Sequence, residues 1–445
     1  MKLKYIVLIL FFTSALCGCN KFLDIKPKGL ILPEKVSDYE GLLNSRTLTQ
    51  TFQVSLLHFT DDNLNSFDAL NQSAVANAYY WRPIITINQK ADPEVWGPLY
   101  NVIYSTNVII NDVMKATDGT MEKKEQVMGE ALVIRANCYL DLLTVFAKAY
   151  NPVTAATDPG LPLVTSINVT DKAPMRSSVK ATLDLMISDV LKAAASVPTS
   201  NLNRYRVTKY VAYGLLSRIY LYMADYVNAK KYAEMALVAP HSTLNYNSFA
   251  SDMDFPDYEL SPEVLWQRTS IDYSAPSSML YSVDLKTYFN NDDIRYTFLT
   301  TTSNAGLGRG SLPGNYNFGI SFPEMELTKA EVLARQGDFT NSMIIVNVLR
   351  KNRIKTGAYV DQTASTGEEA LIKVLAERRR ELAYSGLRWF DMKRLDQEGR
   401  MPVVNRLNLD TQAIDATLAP HSAQYTFEIP VRVQMFNPGM ELNHK

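Results

Sequence analysis

Two pairs of adjacent carboxylates stand in aromatic surroundings, Asp61-Asp62 and Asp292-Asp293. Hydrolysis of a glycosidic bond needs two such groups roughly 5–10 Å apart, one of them with a raised pKa. Both pairs have an asparagine beside them, Asn63 and Asn291, and read as turn or cap residues instead. The cysteines (Cys17, Cys19, Cys138) and the histidines (His58, His241, His421, His444) lie far apart, which argues against a zinc site or a disulfide-stapled fold. Gly306, Gly308 and Gly310 have the wrong spacing for a dinucleotide loop and no helix after them, and no nucleophile elbow or Walker loop occurs. No catalytic residue, metal ligand or cofactor is expected. A structural calcium ion is compatible with the sequence but not called for by it.

The residue types that do stand out are those of binding. Tyrosine is in excess, 25 against 17 Phe and 4 Trp, which suits wet, flat binding surfaces. Residues 241–320 hold 13 aromatics in 80 positions, against 10% overall, with little helical period. Gly306, Gly308, Gly310, Pro313 and Gly314 mark a long mobile loop within that stretch, and long irregular loops on a scaffold tend to carry function. Residues 52–95 have the same flavour, with Tyr79-Tyr80-Trp81 followed by Arg82 and Pro83. Sugar rings stack on flat apolar faces while amides and charges bond their hydroxyls. The expected faces are Trp81, Tyr79, Tyr80, Tyr281, Tyr288 and Tyr316; the expected edges are Asn88, Asp284, Asn290 and Arg295. Any one of these aromatics alone reads as core packing. Their grouping outside the repeating segments is what points to a ligand.

One cysteine has a chemistry of its own. Lys2 and Lys4 precede a largely apolar run, Tyr5 to Leu16, too short to span a bilayer but suited to a secretory signal. It ends in Leu16-Cys17-Gly18-Cys19, which resembles a bacterial lipobox. Residues 1–18 would leave as the signal peptide and Cys19 would be acylated, anchoring the chain through buried methylenes.

The elements that must position these residues are helices. The chain of 445 residues is 47% apolar and 20% charged, enough for a large core. Its 45 basic and 46 acidic residues leave none of the basic excess a nucleic-acid partner would need. Trp96 to Met114 and Glu122 to Tyr150 carry apolar residues at spacings of three and four. Ser177 and Ser178 are candidate N-caps for a helix running to about Val197. Val207 to Pro240 fits a 34-residue helical-hairpin repeat, with Tyr213, Leu216, Ser217 and Tyr220 before the turn Ala224-Asp225-Tyr226 and Ala229, Ala233 and Ala236 after it. Glu324 to Arg353 repeats the scheme more loosely around Gly337-Asp338-Phe339. Such repeats read as scaffold.

Taken together, these segments resemble the SusD/RagB family of surface nutrient-binding lipoproteins. The resemblance rests on Cys19-Asn20-Lys21-Phe22-Leu23-Asp24, on Trp96, Leu99, Tyr100, Ile103 and Asn107, and on Glu130-Ala131 with Arg135-Ala136 and Tyr139. Its most specific part is Glu377-Arg378-Arg379-Arg380-Glu381-Leu382-Ala383, followed by Gly386, Arg388-Trp389-Phe390-Asp391 and Lys393-Arg394; Ile429-Pro430 and Asn437-Pro438-Gly439-Met440 close the series.

The resemblance implies a mainly all-α fold, a tetratricopeptide-like superhelix of helical pairs with long aromatic-rich loops and a few short strands packed over it. It implies a single domain over 19–445, with a helical part to 240, the aromatic loop-rich part at 241–320 and a helical, RagB-type end at 321–445. It also implies a partner, a SusC-like TonB-dependent transporter, and capture of an oligosaccharide, or alternatively a peptide, at the extracellular side of the outer membrane without catalysis. A scaffold without a small ligand and a surface glycoside hydrolase are the competing readings. The arginine run reads as structural: adjacent residues on a helix point about 100° apart and cannot form one anion clamp.

Overall fold

Apolar residues recurring at helical spacing wind the chain into helices that each pack on the next. The computed structural model describes residues 33–65, 67–271, 279–302, 309–311 and 317–443. The lipobox with Cys17 and Cys19, together with Tyr316, Gly306, Gly308, Pro313 and Gly314, lies outside the described residues. Residues Lys35–Lys445 group as one compact unit.

The principal helices are α1 (Val36–Leu43), α2 (Trp96–Asp112), α3 (Met121–Phe146), α4 (Val179–Ser196), α5 (Lys209–Tyr222) and α6 (Tyr226–Ala236). After the irregular middle come α7 (Phe322–Arg335), α8 (Phe339–Lys351), α9 (Gly367–Glu381) and α10 (Arg388–Gln397). Helix α3 packs between α2 and α4, α4 on α5, α5 on α6, α6 on α7, and α7 on α8 and α9. This is the helical-pair superhelix that the repeats imply.

The two hairpins close with the same device. The α5–α6 turn puts Ala224 at φ +56° and the α7–α8 turn puts Gly337 at φ +84°. Asp225 and Asp338 follow as N-caps, accepting from the backbone N–H of Asn228 and Asn341. Ser217 then donates to the Ala229 carbonyl and Ser342 to that of Ala330, each at 2.8 Å, tying one helix to the other.

Buried ion pairs pin the layers. Arg135 of α3 bonds Asp189 of α4 through two nitrogens at 2.9 Å and Asn107 of α2 through the third at 2.8 Å. Glu130, one turn earlier, holds Arg206 at 2.6 Å just before α5. Helix α3 ends at Phe146, short of the expected Tyr150, because Ala147 turns extended at φ −127°, ψ 159°. Its carbonyl accepts from the Lys393 ammonium, while the Thr144 carbonyl accepts from the Trp389 indole at 3.0 Å. Both donors lie on α10.

Lys393 is fully buried, and burial pushes its ammonium down to about 7. The unfolded chain therefore holds the extra proton between pH 7 and the ordinary lysine range, so this group makes stability rise with pH across that window. Lys393→Met is expected to remove about 2 kcal/mol of the gain between pH 7 and 9, read by urea unfolding at the two pH values.

The strands are short and antiparallel. β2 (Pro159–Pro162) pairs with β3 (Arg176–Ser178), β4 (Val264–Trp266) with β8 (Ile320–Ser321), and β9 (Val404–Leu407) with β10 (Ile414–Leu418). A fourth sheet runs β1 (Asn63–Leu64), β5 (Leu280–Tyr281), β7 (Arg309–Ser311), β6 (Thr300–Thr302), with Asn63 opposite Tyr281. It joins the two aromatic-rich stretches.

Gly319 precedes β8, where a Cβ would stand 1.9 Å from the Trp266 carbonyl oxygen. Its own carbonyl accepts from Arg218 of α5 at 2.6 Å. Gly319→Ala must part the chain from β4, and the expected loss is about 1–3 kcal/mol in the unfolding free energy.

Candidate functional site

The irregular segment before β4 is folded by its own small polar residues. Asn245 caps a turn at Tyr246–Ser248. Ser251 caps another at Asp252–Asp254, and the Asp254 carboxylate accepts in return from the Ser251 backbone N–H at 3.0 Å. These turns bring Phe255 against Tyr246 (ring centroids 4.6 Å apart) and Phe249 (4.9 Å). Facing them is a second aromatic group: Tyr281 lies stacked on Tyr384 at 5.2 Å and tilted against Phe289 at 5.9 Å.

Between the two groups lies a cavity of about 450 Å³. Its apolar wall is Tyr246, Met253, Phe255, Tyr281 and Phe289; Tyr258, Asn317 and Ser385 add polar edges. Its charged floor is a knot of buried ions. Arg295 bonds Asp293, Glu377 and Glu381, each at 2.7 Å, and Arg353 bonds Glu263 and Glu381 at the same distance. Burial pushes the Glu377 carboxyl up, but Arg295, Arg380 and Arg350 overcome it and hold it at about 2. Glu263 goes the other way: burial raises it, against the pull of Arg353 and with the Glu381 charge adding to the rise. Aromatic faces beside fixed polar groups are what an oligosaccharide needs.

The sequence expectations divide against this geometry. Tyr281 and Arg295 line the cavity, although both are largely buried. Trp81, Tyr79 and Tyr80 need correcting: they are core residues. Trp81 has no exposed surface and donates its indole N–H to the Phe59 carbonyl at 2.7 Å. The Arg406 guanidinium lies 4.3 Å from the Trp81 ring and 3.9 Å from that of Tyr79, while the Tyr80 hydroxyl bonds the Phe67 carbonyl. None of the three can offer a face to a sugar.

Asp284 is exposed and pairs with Arg379 at 2.6 Å; Tyr288 lies under the same guanidinium at 4.6 Å. Asn88 and Asn290 are exposed and accept from the backbone of Lys90 and Asp292, closing local turns. None of these four lines the cavity. Phe255, Tyr246, Tyr258 and Met253 went unnamed in the sequence reading, although the aromatic density of 241–320 marked their segment.

Asp61 and Asp62 lie in a turn, as expected, and are at the same time buried partners of Arg388 (2.6 Å) and Arg379 (2.7 Å). Burial pushes Asp61 up, yet Arg388 and Arg379 hold it well below the carboxylate range. Asp62 is pushed up by burial against Arg379, with Asp61 adding to the rise. Such a split suits acid–base work, but neither group lines the cavity, and substrate cannot reach them there. Asp293 caps the short helix Ile294–Phe298 as expected and also grips Arg295. Among the described residues no cluster of His, Cys, Asp or Glu could hold a metal ion.

The arginine run itself is structural. Arg378 bonds Asp391 of α10 at 2.9 Å, Arg379 reaches Asp62 and Asp284, and Arg380 turns back to Glu377. Gly386, at φ +86°, leaves room for the Phe52 ring, which would stand 2.5 Å from a Cβ.

Two family models match the chain: one described as "Starch-binding associating with outer membrane" over residues 21–221, and the SusD family over residues 290–439. The chain belongs to the SusD/RagB family. Among curated relatives, SusD-like protein P25 of Formosa agariphila is 25% identical over 292 residues, 62% of this chain but only 52% of that relative's length. SusD-like protein P38 of the same organism is 20% identical over 88% of this chain and 90% of its own. Among solved structures, a SusD superfamily protein from Bacteroides thetaiotaomicron is 18% identical, with a TM-score of 0.77 over 92% of this chain and 100% of that one. A putative sugar binding protein from Bacteroides vulgatus is 20% identical, with a TM-score of 0.73 over 93% and 99%. At such identities these structures establish the SusD fold alone. Among the described residues, no helix is long and apolar enough to cross a membrane.

Proposed function

We propose that this SusD/RagB protein is a non-catalytic capture protein, tethered to the extracellular side of the outer membrane through an acylated Cys19. It binds an oligosaccharide in the aromatic cavity and hands it to a SusC-like TonB-dependent transporter. The observation that carries this reading is the cavity itself: about 450 Å³ lined by Tyr246, Phe255, Tyr281 and Phe289 above fixed polar groups, with this aromatic wall drawn from the stretch that does not repeat. The family model described as starch-binding and outer-membrane-associated supports both the ligand class and the place. The two carboxylate pairs, locked to arginines or serving as caps, support capture without bond cleavage.

Calorimetric titration of the purified full chain with oligosaccharides and peptides, with recovered ligand checked for cleavage, tests the reading. Binding of an intact glycan supports it. Binding of peptides alone would move the same cavity to peptide capture, and released product would make the protein an enzyme. For the tether, Cys19→Ala is expected to shift the protein from the membrane to the soluble fraction and to impair uptake; an unchanged membrane fraction would contradict the anchor.

A further inference from the structure

The charges around the cavity say which glycans fit. Four acids and two arginines line it: Asp252, Asp257, Glu263, Glu381, Arg295 and Arg380. Both arginines are already engaged. Every nitrogen of Arg295 donates to Asp293, Glu377 or Glu381. Every nitrogen of Arg380 donates to Glu377 or to the Tyr288 carbonyl. Glu263 and Glu381 are neutralised in turn by Arg353 and Arg295.

What remains is the pair Asp252 and Asp257. Asp252 is half-buried and Asp257 exposed, both stand at the cavity, and neither has a cation partner among the described residues. Among the described residues lining the cavity, a carboxylate or sulfate on an entering sugar would meet no free guanidinium. It would have to take one from a buried ion pair, leaving that partner unpaired, while facing two like charges. Hydroxyls face neither cost, since each can donate to Asp252 or Asp257 and accept elsewhere.

We propose that this cavity selects uncharged glycans and excludes those bearing uronate or sulfate groups, an inference that rests on the cavity being the glycan site. The test titrates the full chain with neutral hexasaccharides (gluco-, xylo- and manno-configured) and with oligogalacturonate and oligoalginate of equal length. Titrations run at low salt and again at high salt, where the carboxylates of the mouth are screened. Binding confined to the neutral set is expected. The double variant Asp252→Asn/Asp257→Asn should narrow the neutral-to-anionic affinity ratio by about tenfold at low salt, and by less at high salt.

Uronate bound by the wild type as tightly as the neutral glycans would overturn the selectivity while leaving the cavity a glycan site. A ratio unmoved by the double variant would overturn the role of the two carboxylates. Binding of no glycan of either class would remove the capture reading, and the selectivity with it.

Discussion

Glu377→Gln is expected to lower the unfolding free energy by about 3–5 kcal/mol, the usual cost of removing one member of a buried ion network. The side chain has no exposed surface and accepts from Arg295 at 2.7 Å, from Arg380 at 2.6 Å and from Arg350 at 3.4 Å. Glutamine keeps its shape, so the loss is of charge and not of volume. Arg295 keeps Glu381 and Asp293, while Arg380 and Arg350 lose the carboxylate that pairs them. The same charge predicts a pH dependence. Burial raises Glu377, but the arginines hold it at about 2 in the folded protein, below its ordinary 4.5. A depressed carboxyl gives stability that is present above the unfolded value and lost as pH falls through the folded one. The gap between wild type and variant should therefore narrow as pH drops from 5 toward 2. Urea midpoints at several pH values measure it, and a gap independent of pH would contradict the account.

Trp81→Ala carries the second large effect, about 3–5 kcal/mol of stability, because it empties a fully buried indole site. It also strands the Phe59 carbonyl and uncovers Arg406, which bonds the carbonyls of Tyr79, Asn63, Thr60 and His58 in one buried fan. Glycan affinity of the folded fraction should not change, since Trp81 is no part of the cavity. Phe255→Ala should do the reverse. Its ring is half-buried at the cavity wall, so truncation removes a sugar-stacking face at modest cost to the fold. Loss of a stacking aromatic is expected to weaken binding about tenfold.

These two residues show what a sequence can and cannot reveal about such a protein. Helices are local, so the three-and-four spacing in Trp96–Asp112 and the Asp225 and Asp338 turns were legible from neighbouring residues alone. So was the structural nature of the arginine run, because the geometry of one helix sends adjacent side chains apart. Trp81 was misread because aromatic density does not tell core from surface. What buries it is Arg406 on β9, a partner from the far end of the chain. The turn at Asp61 and Asp62 is local and legible, but their burial is not, for the same reason: their arginines are residues 379 and 388. The aromatic density of the 241–320 stretch is legible in the sequence, yet which of its aromatics line the cavity emerges only once the Asn245 and Ser251 caps have bent Phe255 onto Tyr246.

The most direct test of the central claim is one calorimetric comparison of glycan binding by wild type, Phe255→Ala and Trp81→Phe, the last keeping an aromatic in the core. The account predicts that affinity falls about tenfold in Phe255→Ala and is retained in Trp81→Phe. Loss of binding in Trp81→Phe with full affinity in Phe255→Ala, in folded protein, would place the ligand elsewhere and contradict it.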